Sequence, residues 1–278
     1  MDQACVTEIN VYPVKSMKGI SSLQCELTDK GLRHDRHWMV VRHNGRFVTQ
    51  REQPALARIR TELDARGLTL SREGLGSVFI PFEAGTGEEI VSRVWKDDCR
   101  TLDEGPEISR WIAAALESEE SFRLVRMAPG FRRKLAEDRF GKESTTAFAD
   151  AAPYLVASEA SLERVNRELR ARGLQPVPMN RFRPNIVLSG VDAFAEHSSK
   201  ELCGEHWRIT LIDPSQRCLV TTVDQATGYR DPDRQPYLAM REISPVAGPG
   251  SAPAFAQNAV LASGEGRFIR VGESISLG

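Results

Sequence analysis

A single thiol, Cys218, sits in Gln216-Arg217-Cys218-Leu219-Val220-Thr221-Thr222-Val223-Asp224, directly after an arginine and before an apolar, β-branched run. A thiolate is a soft donor of the kind transition metals prefer, and the Arg217 cation favours the ionised form. The alternative is a buried, inert thiol opening a strand over 218–223. Near the N-terminus, Tyr12-Pro13-Val14-Lys15-Ser16 carries a strand into a proline-stiffened turn. Such a turn can present a backbone amide, a hydroxyl and an ammonium together as a cradle for phosphate, or it is a plain polar strand end. Arg36, in His34-Asp35-Arg36-His37-Trp38, and Arg51, in Thr49-Gln50-Arg51-Glu52, each offer a guanidinium fork that can clamp a phosphate or pair with the acid beside it. In Arg181-Phe182-Arg183-Pro184-Asn185-Ile186, period-two alternation places Arg183 and Asn185 on one strand face, opposite the apolar residues. Cations, amides and one soft ligand suggest an anion-binding site.

Other signals are weaker. Gly85-Thr86-Gly87 lacks the third glycine and the strand-turn-helix setting of a dinucleotide fingerprint. The histidines show no metalloprotease spacing, and His34 and His37, three apart beside Arg36, read as surface or core packing residues in preference to ligands. Cys5, Cys25, Cys99, Cys203 and Cys218 are odd in number and far apart, which disfavours a disulfide framework, a closed zinc site and an iron–sulfur cluster. Electrons for any redox chemistry must then come from another protein or reductant. The segment 123–142 carries seven basic residues against two acids around Pro129-Gly130, and reads as a loop that is either solvated or faces an anion.

The elements that must position these residues are mostly short strands. Residues 6–14 are β-branched and aromatic; 37–42 and 46–50 flank His43-Asn44-Gly45, where Asn-Gly suits a type I′ hairpin turn. A second hairpin joins 60–63 to 68–71, and 77–82 and 89–95 offer further strands. Many short strands between turns suggest a barrel or sandwich. Helices are predicted over 106–116, with proline in its first turn, and over 158–172, with Ser158 as cap and Gly173 as stop. Strands return at 185–188, 207–211, 218–223, 267–271 and 274–277, and the Gly/Pro/Ala/Ser-rich 248–256 reads as a mobile surface loop.

With 278 residues, 27% charged, 41% hydrophobic and a net charge of −1, the chain reads as a globular protein of two domains without nucleic-acid or membrane partners. No apolar run approaches the roughly 20 residues a bilayer requires. The first residues form neither a secretory nor a mitochondrial leader, so the expected location is cytoplasmic.

Taken in order, Tyr12-Pro13-Val14-Lys15-Ser16-Met17-Lys18-Gly19, Asp35-Arg36-His37-Trp38-Met39-Val40, Phe47-Val48-Thr49-Gln50-Arg51, Ser158-Glu159-Ala160-Ser161-Leu162, Arg181-Phe182-Arg183-Pro184-Asn185-Ile186-Val187 and Arg217-Cys218-Leu219-Val220-Thr221-Thr222-Val223-Asp224 resemble the MOSC proteins with an N-terminal β-barrel domain. That group includes the mitochondrial amidoxime-reducing components. The resemblance implies a mainly β (α+β) fold of two β-barrel-like domains, 1–125 and 126–278. It also implies a molybdenum cofactor, molybdopterin with its phosphate, bound between them. Cys218 matches the metal ligand; Lys15, Ser16 and Arg36 match residues holding the phosphate and pterin; Arg183 and Asn185 match contacts from the second domain. Asp150, Thr49, Arg51 and Arg217 fall at further cofactor-lining positions. A family association with pyridoxal phosphate comes with the same resemblance. Gln216 and Met17 depart from the pattern, standing where the mitochondrial members have serine and cysteine.

The implied function is reduction of N-hydroxylated compounds, such as hydroxylamines and amidoximes, with electrons from a separate ferredoxin, flavodoxin or reductase type of protein. The alternatives are a carrier of the molybdenum cofactor or of sulfur for a client enzyme, and a barrel-shaped interaction protein without metal.

Overall fold

The structure, a computed structural model, describes residues 2–83, 87–244 and 251–278. The chain forms mostly short strands with a few helices. Seven strands close a barrel: Ile186–Ser189, Tyr154–Ser158, Ala254–Ser263, Arg208–Gln216, Glu201–Cys203, Ser274–Leu277 and Asp2–Val11, the last pairing back to Ile186–Ser189. The N-terminal strand thus completes a barrel otherwise built from the C-terminal half. The register Val6↔Leu188 and Ile9↔Ile186 places the apolar residues of both strands in the barrel core.

Strand Tyr154–Ser158 shows why the sequence folds this way. Tyr154 and Val156 point into the barrel, while Leu155 and Ala157 pack under helix Glu159–Ala171 against Val165 and Leu169. Period two therefore serves two cores, and each large apolar side chain so buried contributes on the order of 1.5–3 kcal/mol. Ser158 caps that helix by accepting from the Ser161 amide at 3.1 Å, as the sequence predicts.

A four-stranded half-barrel, Trp38–Arg42, Phe122–Met127, Asp97–Asp103 and Glu89–Val94, dominates the N-terminal part, beside the sheet Arg60–Leu63, Gly67–Arg72 and Gly76–Pro81. Helix Pro106–Ala115 buries Ile108 and Ile112 against Trp38, Leu68, Leu70 and Leu124. Mainly β with two barrel-like units is therefore the observed fold class.

Several predicted elements are corrected. At the 43–45 turn Gly45 is left-handed (φ 77°) but Asn44 is not, so the turn is not type I′, and its second arm forms no strand, only the isolated bridges Val41↔Phe47 and Arg46↔Arg93. The basic segment 123–142 opens as strand Phe122–Met127; Arg126 is buried in a bidentate pair with Glu104 at 2.6 and 2.7 Å. Residues 218–223 are not a strand, because Leu219–Thr222 wind one 3-10 turn. Thr221 and Thr222 turn their hydroxyls back onto the carbonyls of Cys218 and Leu219 at 3.1 and 2.7 Å, a local bonding pattern that overrides β propensity. Parts of Gly85-Thr86-Gly87 and of the expected loop 248–256 lie outside the described residues.

Candidate functional site

All ten side chains singled out from the sequence, Lys15, Ser16, Arg36, Thr49, Arg51, Asp150, Arg183, Asn185, Arg217 and Cys218, line one cleft of about 150 Å³. They arrive from the first turn, the two arms around the Asn44-Gly45 turn, the segment before strand Tyr154–Ser158, the approach to strand Ile186–Ser189 and the end of strand Arg208–Gln216. Arg183 and Asn185 do not sit on a strand face, since the strand begins only at Ile186 and Arg183 is left-handed at φ 57°. Ser16 (φ 68°) and Arg36 (φ 46°) are left-handed too. Three non-glycine residues of one cleft in that sparsely populated region mark backbone that the surrounding fold holds under strain.

Lys15 is buried and donates to the Phe148 carbonyl at 2.8 Å and to Asp150 Oδ1 at 2.5 Å. Burial lowers its pKa, and the Asp150 charge opposes that shift. Burial likewise pushes the Asp150 carboxyl up, but Lys15 and the Trp95 indole N–H, which donates at 3.0 Å, outweigh it and bring the carboxyl down to about 2. The Asp150 side chain is still 60% exposed, so solvent screens the pair. Arg36 donates to Asp35 Oδ2 at 2.6 Å, Asn185 Oδ1 at 3.0 Å and the Arg183 carbonyl at 3.1 Å. It thus pairs with its neighbouring acid and lines the cleft at once. Arg51 leaves Glu52 to Arg42, which donates to it at 2.5 Å, and stacks on Trp95 at 4.7 Å.

Tyr12 is the floor of the arrangement. Its ring lies 4.4 Å from the Arg36 guanidinium and 4.2 Å from that of Arg183, and its hydroxyl donates to the Pro184 carbonyl at 3.2 Å. A Cβ at Gly19 would come within 2.5 Å of that ring, which is why the turn after Ser16 closes on glycine. A paired amide bridge joins the two halves of the chain, Gln50 and Gln225 donating to one another at 2.9 Å, while Arg183 donates to Gln225 Oε1 at 3.1 Å. Arg133 donates to the Ala149 carbonyl at 2.6 Å and so fixes the backbone next to Asp150. Tyr12, Gln50, Trp95, Arg133 and Gln225 were not singled out from the sequence. Their contacts are long-range, and of the five only Tyr12 and Gln50 lay within a motif.

Two buried nitrogens in this cluster have no partner, Nη2 of Arg183 and Nε of Arg217. Burial lowers the Arg183 pKa to about 10, which keeps it cationic near neutrality, and burial also lowers that of Arg217, opposed by the Cys218 and Asp150 charges. Arg217 otherwise donates to Ser215 Oγ at 3.0 Å and the Phe182 carbonyl at 2.7 Å. Cys218 is exposed and not disulfide-bonded, rather than buried in a strand. Five cations, Lys15, Arg36, Arg51, Arg183 and Arg217, face the single carboxylate of Asp150 in the lining of this cleft, with the soft donor Cys218 among them, a balance of charge that suits an anion.

Two family models match the sequence, the MOSC N-terminal beta barrel domain over residues 3–119 and the MOSC domain over 143–276. The chain belongs to the MOSC family, in the arrangement where an N-terminal barrel domain precedes the MOSC domain. Among its relatives, human mitochondrial amidoxime-reducing component 1 is 33% identical over 284 residues, spanning 98% of this chain and 82% of its own length. The rat mitochondrial amidoxime reducing component 2 is 33% identical over 236 residues, 81% of this chain and 68% of its own. Bovine molybdenum cofactor sulfurase is 29% identical over 246 residues, but that match takes in 28% of the sulfurase. These names tie the family to the molybdenum cofactor and to amidoxime reduction.

The relatives also overturn one expectation, because the amidoxime-reducing components are mitochondrial by name and the cytoplasmic location does not stand. Among the described residues no helix is long and apolar enough to cross a membrane. The pyridoxal phosphate association finds no support among these relatives.

Proposed function

We propose that this protein is a molybdenum-cofactor-dependent reductase of N-hydroxylated compounds that takes its electrons from a separate electron-transfer protein. The observation that carries this reading is the convergence of five cations and one exposed thiol on a single cleft, with two buried guanidinium nitrogens left without partners. A buried cation without a partner is costly, and an anionic ligand with several oxygens would remove that cost. Among the described residues no cluster of three or more His, Cys, Asp or Glu could hold a bare metal ion, so a metal at Cys218 would need an organic carrier for its remaining ligands.

In this reading Lys15, Ser16 and Arg36 would hold the phosphate and pterin, Arg183, Asn185, Arg217, Thr49, Arg51 and Asp150 would complete the cradle, and Cys218 would ligate the metal. The donor set fits such a group, since the unpartnered Arg183 Nη2 and Arg217 Nε are donors suited to its anionic oxygens and Cys218 is a soft ligand. When bound, the cofactor would supply two-electron removal of the oxygen from an N–OH group, so that substrate, two electrons and two protons give the amine or amidine and water. Lys15 and Arg36, already locked by their partners, would orient the anion without reorganisation. Asp150, ionised down to about pH 2, serves as an acceptor that orients rather than as an acid. The division of the chain into 1–125 and 126–278 belongs to the same proposal, with strand Asp2–Val11 crossing into the C-terminal barrel.

The rival reading, a carrier of cofactor or sulfur, draws on the sulfurase relative and the exposed Cys218. Molybdenum and pterin content measured with amidoxime turnover on an artificial electron donor separates the two. Cys218→Ala should abolish turnover and keep the fold; unchanged turnover removes the reductase reading, and cofactor without turnover in the unaltered protein favours the carrier.

A further inference from the structure

A second cleft, of about 550 Å³, adjoins the first and shares Ala151, Ser215, Gln216 and Asn258 with it. Its size is that of a small-molecule site. Its chemistry differs from that of its neighbour. The charged pair in its wall is closed on itself, Arg139 donating to Asp213 through Nε at 2.5 Å and Nη2 at 2.8 Å, with the Asn258 amide donating to the same carboxylate at 2.8 Å. Burial pushes the Asp213 carboxyl up, but those bonds outweigh it and hold it low and ionised. No unpaired charge is thereby offered to a ligand here.

The junction of the two clefts is Gln216, two residues before Cys218, exposed and, among the described residues, without a hydrogen bond from its side-chain amide. We infer that the second cleft binds the organic part of the substrate and that the Gln216 amide at the junction recognises an uncharged N-hydroxyamidine, an inference that rests on the reductase reading above. A primary amide presents one acceptor and two donors, and an N-hydroxyamidine presents O–H and NH₂ donors beside nitrogen and oxygen acceptors, so the two are complementary without any charge. A substrate carboxylate would lose hydration in a cleft whose only cation is already paired, and is selected against. The closed Arg139–Asp213 pair accounts for that choice, and the cations of the neighbouring cleft remain available to an anionic cofactor.

The test uses cofactor-loaded protein with benzamidoxime and 4-carboxybenzamidoxime, by calorimetry for binding and by steady-state kinetics on an artificial donor, with molybdenum content measured for each variant. Gln216→Leu should weaken benzamidoxime binding and raise its KM about five- to tenfold, the worth of one hydrogen bond, with kcat within about twofold and molybdenum content unchanged. Gln216→Glu should widen the preference for benzamidoxime over its carboxylated analogue. Unchanged binding and KM in Gln216→Leu, or a loss of molybdenum that places Gln216 in the cofactor site, overturns the inference. Binding that depends on Gln216 in a loaded protein without turnover removes the reductase reading and leaves the binding assignment; turnover indifferent to Gln216 does the reverse. A loaded wild type that neither binds nor reduces benzamidoxime overturns both.

Discussion

The two sides of the cation-lined cleft are built on opposite terms. On the N-terminal side Lys15 and Arg36 have oxygen partners from the protein itself, at 2.5 to 3.1 Å. On the C-terminal side Arg183 and Arg217 each keep a buried nitrogen without one, and the Cys218 thiol is exposed. The first side closes its donors within the protein, and the second keeps two donors open although Arg183 and Arg217 also bond to Gln225, Ser215 and the Phe182 carbonyl. Positioning and capture are thus assigned to different parts of the chain, and the Gln50–Gln225 amide pair ties the two together.

That difference can be broken first on the locked side. Arg36→Met leaves Asp35, a fully buried carboxylate, without its cation, and should destabilise the protein by about 3 kcal/mol in denaturant unfolding. A loss under about 1 kcal/mol would mean that Arg36 is as unengaged as Arg183.

Acid probes the same side. His34 and His37 are held neutral, burial lowering each to about 4 from an ordinary 6.5, so the unfolded chain binds more protons in between. Stability should fall as pH drops from 6.5 to 4, by up to about 1.4 kcal/mol per pH unit per histidine, and His37→Phe should flatten the slope. The Asp150 contribution has the opposite origin, since its carboxyl is depressed to about 2; it is present above 3.8 and lost only below that. A melting temperature that is flat between pH 6.5 and 4 contradicts this ordering.

On the open side, Arg183→Met removes a buried, half-satisfied cation. Protein free of cofactor should gain about 1 kcal/mol, while pterin content after expression in a cofactor-competent host falls. A loss of stability together with retained pterin would place Arg183 among the locked residues. The smallest effect is expected at the rim, where Trp95→Phe keeps the ring under Arg51 but loses the donor to Asp150, costing about 0.5–1 kcal/mol.

Sequence alone displayed the members of the cleft better than the way they are held. Lys15, Arg36, Arg183 and Cys218 could be read as a set because cations and a lone thiol at element ends are local features. The 3-10 turn after Cys218 was not legible, as Val220, Thr221 and Thr222 carry strong β propensity and only their hydroxyl back-bonding reverses it. Strand Phe122–Met127 was hidden because Arg123 and Arg126 resemble loop residues, while the Arg126 pairing with Glu104 depends on a neighbouring strand. Closure of the barrel by Asp2–Val11 spans most of the chain, and no local pattern encodes it.

The central claim, that Cys218 binds a metal carried by a polyanion in this cleft, is tested most directly by molybdenum K-edge X-ray absorption on loaded wild type and Cys218→Ser. The wild type should show one more sulfur neighbour at the metal than the variant. Equal sulfur counts in the two proteins, or a wild type without molybdenum, would contradict it.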